Sequence, residues 1–293
     1  GIPTLASRRI FTSNGHNDGD PITPVVTGGT AGLVFPSQAT ASQLASLNRP
    51  GPSMFFPVSG ADNAAYIAGN RSLEMTQGGH LRNRNHLLGD IVGSSPAFVQ
   101  DTNTIYVGAN DGMLHAINAA NGNELFAFIP GIINWAHLGM LSRPDYAHRY
   151  FVDGSIVVTT RQQTPGSNVL VGALGKGGKG LFALDVTNPG TFGAADFLWE
   201  RAETPDGNMG LVQGRPILGK VKNGASETNV VIVGNGVNSA TDQAALIVLD
   251  LNDGTVIREI GTGAGSSAQP NGLSSPTGVF GPDGRTLAYI YAG

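Results

Sequence analysis

Apolar residues fall in short runs of three to six, alternating with glycine, asparagine and aspartate, over most of the chain. Such runs, bounded by turn residues, predict β-strands rather than amphipathic helices. The runs recur in a fixed order. A strand lead-in appears at Ser94-Ser95-Pro96-Ala97-Phe98-Val99, at Asp153-Gly154-Ser155-Ile156-Val157-Val158, at Gly214-Arg215-Pro216-Ile217-Leu218 and at Ser274-Ser275-Pro276-Thr277. Aligning Pro96, Ser155, Pro216 and Pro276 gives intervals of 59, 61 and 60 residues. A second strand ending in glycine follows each lead-in: Ile105–Gly108, Leu170–Gly172, Val231–Gly234 and Tyr289–Gly293. The first three copies continue with a third strand (Leu114–Asn118, Leu181–Asp185, Leu246–Asp250). A turn at Asn121-Gly122, Asn188-Pro189-Gly190 or Asp253-Gly254 then leads to a fourth strand (Leu125–Phe128, Phe197–Trp199, Val256–Arg258).

Repetition at this period is the mark of a repeat architecture, and four short strands per unit predict a β-propeller blade. The expected fold is all-β: antiparallel four-stranded blades of about sixty residues, three complete and a fourth stopping after its second strand. Closed propellers use four to eight blades, so the natural chain is expected to continue past Gly293. Residues 1–88 stand outside the repeat and are expected to form a loop-rich segment docked on the propeller of residues 89–293. Within it, Arg8–Thr12 reads as a short strand, and Ala39–Leu47, with Leu44 and Leu47 three apart, as a helix ended by Pro50 and Pro52.

Composition supports the pattern. The chain has 293 residues, 43 of them glycine, and only 13% are charged, against a usual ~25%. Many glycines and few charges suit tight turns between half-buried strands. A net charge of −4 offers no electrostatic footprint for nucleic acid. No stretch approaches the ~18 apolar residues of a membrane span. The absence of cysteine removes disulfides, thiolate catalysis and zinc–thiolate sites together.

Candidate chemistry is sparse. The run Tyr106–Gly122 reads as strand, Asp-Gly turn, strand and Asn-Gly turn, which is a hairpin. It also resembles a blade of quinone-dependent dehydrogenases, but those enzymes carry tryptophan-docking motifs and a cysteine pair, and here only Trp135 and Trp199 and no cysteine occur. The glycine-rich run Gly172–Gly180 leads into a strand, so no helix N-terminus is available for a phosphate, and a flexible inter-strand loop is expected. The six histidines show no i,i+4 or His-x-His spacing, and no Gly-x-Ser-x-Gly elbow occurs. Two loops offer oxygens of the kind calcium takes: Asn14, Asn17, Asp18 and Asp20, and Asn235, Asn238, Ser239 and Asp242. The same residues favour ordinary turns, and the turn reading is preferred for both.

Five segments in order resemble the C-terminal propeller of the PilY (also PilC) family of type IV pilus tip and biogenesis proteins. They are Leu81–Arg84 with Leu88–Pro96, then Tyr106–Ala116, His148–Gly154, Gly177–Asp185 and Val233–Ser239. The resemblance covers about residues 62–293. It implies a non-enzymatic, exported protein at the cell surface or pilus tip, supporting pilus assembly, twitching motility and adhesion. It implies pilins or minor pilins and a host or abiotic surface as partners, and no cofactor beyond calcium. The family's calcium loop would fall at Phe280–Ala288, which keeps only Asp283 among its acidic ligands. One carboxylate cannot supply three or four hard oxygen ligands, so a metal-free bend at Pro282-Asp283-Gly284 is expected. Two further readings of the blade pattern are a quinone-dependent dehydrogenase and a periplasmic scaffold propeller for outer-membrane assembly.

Overall fold

The computed structural model describes residues 2–19, 26–49, 56–203, 207–224 and 226–293. The N-terminal part holds strands β1 (Ile10–Ser13), β2 (His16–Asn17), β3 (Val26–Thr27) and β4 (Gly32–Val34), then helices α1 (Ala41–Leu47) and α2 (Gly60–Ala68). The first blade consists of β5 (Ala97–Val99), β6 (Thr104–Gly108), β7 (Leu114–Asn118) and β8 (Glu124–Ile129), followed by a short helix α3 (Trp135–Gly139). The second has β9 (Ile156–Val158), β10 (Val169–Ala173), β11 (Gly180–Asp185) and β12 (Phe197–Ala202). The third has β13 (Ile217–Asn223), β14 (Ser226–Gly234), β15 (Ala245–Asp250) and β16 (Val256–Gly261). A final pair, β17 (Thr277–Phe280) and β18 (Leu287–Tyr291), forms a two-stranded sheet.

Each blade is an antiparallel meander in chain order, as the spacing predicts. In all three complete blades a register shift separates the third and fourth strands, at Ala116/Ile117, Ala183/Leu184 and Val248/Leu249. Such bulges raise the local twist. The turns before β8 and β16 require glycine: Gly122 and Gly254 both have φ of +71°.

The cores lie between blades. On β14, Val231 and Val233 face the second blade, with Trp199, Leu181 and Val171, while Val230 and Ile232 face the last sheet, with Phe280 and Leu287. Period-two alternation thus buries both faces of a central strand. Polar stitches repeat with the blades. Gly93 N–H donates to Asp153 Oδ1 (2.7 Å) and, sixty residues apart again, Arg215 N–H to Ser275 Oγ (3.0 Å). Asn110 Oδ1 accepts from Phe151 N–H (3.1 Å), and Asn235 Oδ1 accepts from Leu273 N–H (3.0 Å). Each asparagine, at the end of a second strand, holds the lead-in of the next unit.

The N-terminal segment is more ordered than its polar sequence suggests. The strand expected at Arg8–Thr12 is β1, shifted to Ile10–Ser13, and it runs parallel to β8, pairing Ile10 with Ala127 and Thr12 with Ile129. β4 pairs antiparallel with β1, so the first blade's sheet has six strands. Helix α1 starts two residues later than expected, where Thr40 and Gln43 form a reciprocal capping box. The hydropathy pattern did not single out α2. Its signals are local: Ser59 accepts from Asp62 N–H at the start, and Gly69, at φ +117°, ends it. The glycine-rich loop is packed and not open: a Cβ on Gly175 or Gly177 would meet backbone of Phe151–Gly154 within 3 Å.

Candidate binding cavity and its polar frame

The lead-in to the first blade passes between the helical layer and the β6–β7 turn, and polar side chains from both gather around it. Arg8 joins first. Its Nε and Nη2 donate to Glu124 at 2.8 and 3.1 Å. His115, fully buried on β7, bridges Glu124 Oε2 (2.7 Å) and Asp111 Oδ2 (3.1 Å). Asp111 also accepts from the backbone N–H groups of Gly89 (2.9 Å) and Met113 (3.1 Å). Burial alone would lower the His115 pKa, but the Asp111 and Glu124 carboxylates outweigh it and push the imidazole up to about 9. The result is a buried chain of two cations and two anions, with each charge placed against its opposite.

A second pair lies beyond it. Arg84 Nε donates to Glu74 Oε1 (2.8 Å), and its Nη1 and Nη2 donate to the carbonyls of Tyr66 and Asn70. The guanidinium lies 3.5 Å over the Tyr66 ring. Arg82 is held differently: Nε donates to Leu141 O (2.7 Å) and the guanidinium lies 4.7 Å over Tyr146. Between these groups opens a half-enclosed cavity of about 270 Å³, lined by Tyr66, Arg82, Arg84, Leu88, Asp90, Asn110, Asp111 and Tyr146 among others. At its rim Asp90 pairs with His148 (2.7 Å). Three of the five ordered segments, at 81–96, 106–116 and 148–154, therefore meet at one place.

Glu200, on β12, is a further isolated acid. It accepts from Ser13 Oγ (2.7 Å) and Gly131 N–H (2.6 Å). Burial nevertheless pushes its carboxyl up to about 7.

Several of the residues weighed as calcium ligands are engaged in other hydrogen bonds. Asp283 Oδ1 accepts from the N–H groups of Arg285 (3.1 Å) and Thr286 (2.9 Å), and Oδ2 accepts from the Thr286 hydroxyl. Those bonds hold its carboxyl well below the usual range. Asn14 Oδ1 accepts from Thr30 and Ala31 N–H, and Asn17 Oδ1 accepts from Gly19 N–H. Asp20 lies outside the described residues. Asn235 is buried, its Oδ1 taken by Ala245 and Leu273 N–H and its Nδ2 by two carbonyls. Asn238 and Asp242, at φ +63° and +54°, are left-handed turn positions. Among the described residues no group of three or more His, Asp or Glu is disposed to hold a metal ion.

Sequence reasoning missed the Arg8–Glu124–His115–Asp111 chain and the cavity. A signal existed: His115 and Glu124 interrupt otherwise apolar strands, and buried charges in strands demand partners.

Residues 89–293 match a family model described as the PilY1 beta-propeller domain. The type IV pilus biogenesis factor PilY1 of Pseudomonas aeruginosa (strain PAK) is 36% identical over 286 residues, covering 87% of this chain and 24% of that protein. A PilY1 homolog of Xylella fastidiosa is 36% identical over 249 residues, covering 75% of this chain and 19% of that one. The crystal structure of the Pseudomonas aeruginosa PilY1 C-terminal domain is similar at 37% identity with a TM-score of 0.49, covering 65% of this chain and 36% of that chain. The chain spans about a quarter of the length of the Pseudomonas relative.

Proposed function

The chain belongs to the PilY1 family, and on that premise we propose that it is the propeller scaffold of a type IV pilus biogenesis factor, outside the cytoplasm, acting by binding rather than catalysis. The observation that carries this reading is 36% identity to a type IV pilus biogenesis factor over 87% of the chain. A non-enzymatic role is supported by the titratable groups themselves. The side chains of Arg8, Glu124 and His115 are buried and, with Asp111 at the cavity wall, are engaged with one another in ion pairs. None of the helices described is long and apolar enough to cross a membrane. Pilins or minor pilins are the partners, and pilus assembly, twitching and adhesion to a host or abiotic surface are the processes served. Deleting the coding sequence should abolish surface pili and twitching, with recovery on complementation. Normal piliation in a clean deletion would overturn the proposal. Loading with pyrroloquinoline quinone and calcium should give no dye reduction with alcohols, and turnover would favour the dehydrogenase reading instead.

A further inference from the structure

We propose that the cavity beside the first blade binds a carboxylate of a peptide, with Arg82 as its anchor. Charge balance singles this residue out. Arg84 is paired with Glu74, and Arg8 and His115 with Glu124 and Asp111, while Asp90 at the rim is hydrogen-bonded to His148. Arg82 lines the same cavity and has no carboxylate partner among the described residues. Its orientation is nonetheless fixed, by the bond from Nε to Leu141 O and by the Tyr146 ring beneath it. A planar guanidinium held on one edge and stacked on one face is organised in advance for the forked pairing that carboxylates make.

Two features narrow the ligand. Asp90 and Asp111 also line the cavity, so a doubly charged phosphate meets repulsion, whereas a singly charged carboxylate on an amide body brings N–H groups that Asp90 can accept from. The volume of about 270 Å³ falls below the ~300–1,000 Å³ of sites for drug-sized ligands, which suits a side chain or a chain end rather than a whole cofactor. The carboxylate comes either from an Asp or Glu side chain or from a C-terminus. The chemistry is the same for both, and it does not depend on a role in pili.

Calorimetric titration of the 293-residue chain tests the site with four probes: Ac-Ala-Ala-Glu-Ala-Ala-amide, its Gln counterpart, acetylated pentaalanine with a free C-terminus, and inorganic phosphate. At least one of the two carboxylate peptides should saturate below 10 mM, and which one does identifies the source. The Gln peptide should bind at least tenfold more weakly, and phosphate should not compete. Arg82→Gln should weaken binding at least tenfold, and Arg82→Lys, which keeps charge without the fork, by several-fold. Leu88→Trp narrows the cavity while leaving the bond from Arg82 to Leu141 in place, and it should weaken binding even if Arg82→Gln fails to fold. The assignment is overturned if no carboxylate peptide saturates, if phosphate binds equally well, or if Leu88→Trp binds as the parent does.

Discussion

The first and third blades are built on one template and finished in opposite ways. The outer strand of the first, β8, is buried under β1 and β4, and its Glu124 is clamped by Arg8 and His115. The outer strand of the third, β16, is largely exposed beyond Val256, with Ile257 and Ile260 in the open. The last sheet continues that openness, with Tyr289 and Tyr291 at 66% and 62% exposure. The contrast separates two tasks of a repeat protein. The blade sequence makes the meander, whereas what covers the outer edge and face comes from elsewhere in the chain and is specified by charges as well as by apolar residues.

The largest expected effect breaks the clamp. Glu124→Ala leaves the Arg8 and His115 cations buried without their shared acceptor, and loss of one partner of a buried ion pair costs about 3–5 kcal/mol. We predict a fall of that size in urea-unfolding free energy, with proteolysis of the N-terminal segment. A change below 1 kcal/mol would show that β1 is held by the sheet alone. The clamp also carries a pH signature. His115 is raised from 6.5 to about 9, so its stabilisation is complete below pH 6.5 and lost as pH rises through about 9. Glu200 acts over a different range. Its carboxyl is raised from 4.5 to about 7, so the fold holds that proton more tightly than the unfolded chain and is weakened as pH rises from about 4.5 to 7. Glu200→Gln should flatten the melting temperature across that interval while leaving the loss near pH 9 in place.

Two glycines at equivalent turns give a smaller and sharper comparison. Both have φ +71°, so alanine at either costs about 1 kcal/mol for the left-handed backbone. At Gly122 nothing lies within 4 Å of an added Cβ, whereas at Gly254 it would meet the Trp199 ring at 2.5 Å. Gly254→Ala should therefore lose a further 1–3 kcal/mol to overpacking, and equal losses at the two sites would show that this turn does not press on the second blade. The smallest effects belong to the open end. Tyr291→Ala should change stability by no more than about 0.5 kcal/mol in this chain. Added calcium should leave the melting temperature unchanged, because the Asp283 carboxylate already accepts three hydrogen bonds within its own turn. A calcium-dependent rise abolished by Asp283→Asn would refute that.

What the sequence made legible was whatever its neighbours decide. Val107-Gly108 and Val233-Gly234 announce second strands because strand and turn residues sit side by side, and Asn121-Gly122 and Asp253-Gly254 supply the positive φ that the following turns need. The convergence at the cavity was legible only as a resemblance, through Leu81–Arg84 and His148–Gly154, with no hint that Arg82 would lack an acidic partner. The helix α2 was obscured by its small residues, since Ala64 and Ala68 mark a buried face only weakly. The pairing of Arg8 with Glu124 joins residues 116 positions apart, and no local pattern encodes such a distance.

The parallel pairing of β1 with β8 also sets a timetable. In every complete blade a strand meets its partners soon after it is made, but Ile10 must wait for Ala127. At about 5–20 residues per second, that interval is on the order of ten seconds, during which an apolar strand and the lone cation of Arg8 have nowhere to dock. An unpaired strand of this kind is an invitation to pair wrongly. The first blade is therefore finished only after its own last strand has formed, and β1, made long before that strand, is the element that must be kept from wrong pairing in the meantime.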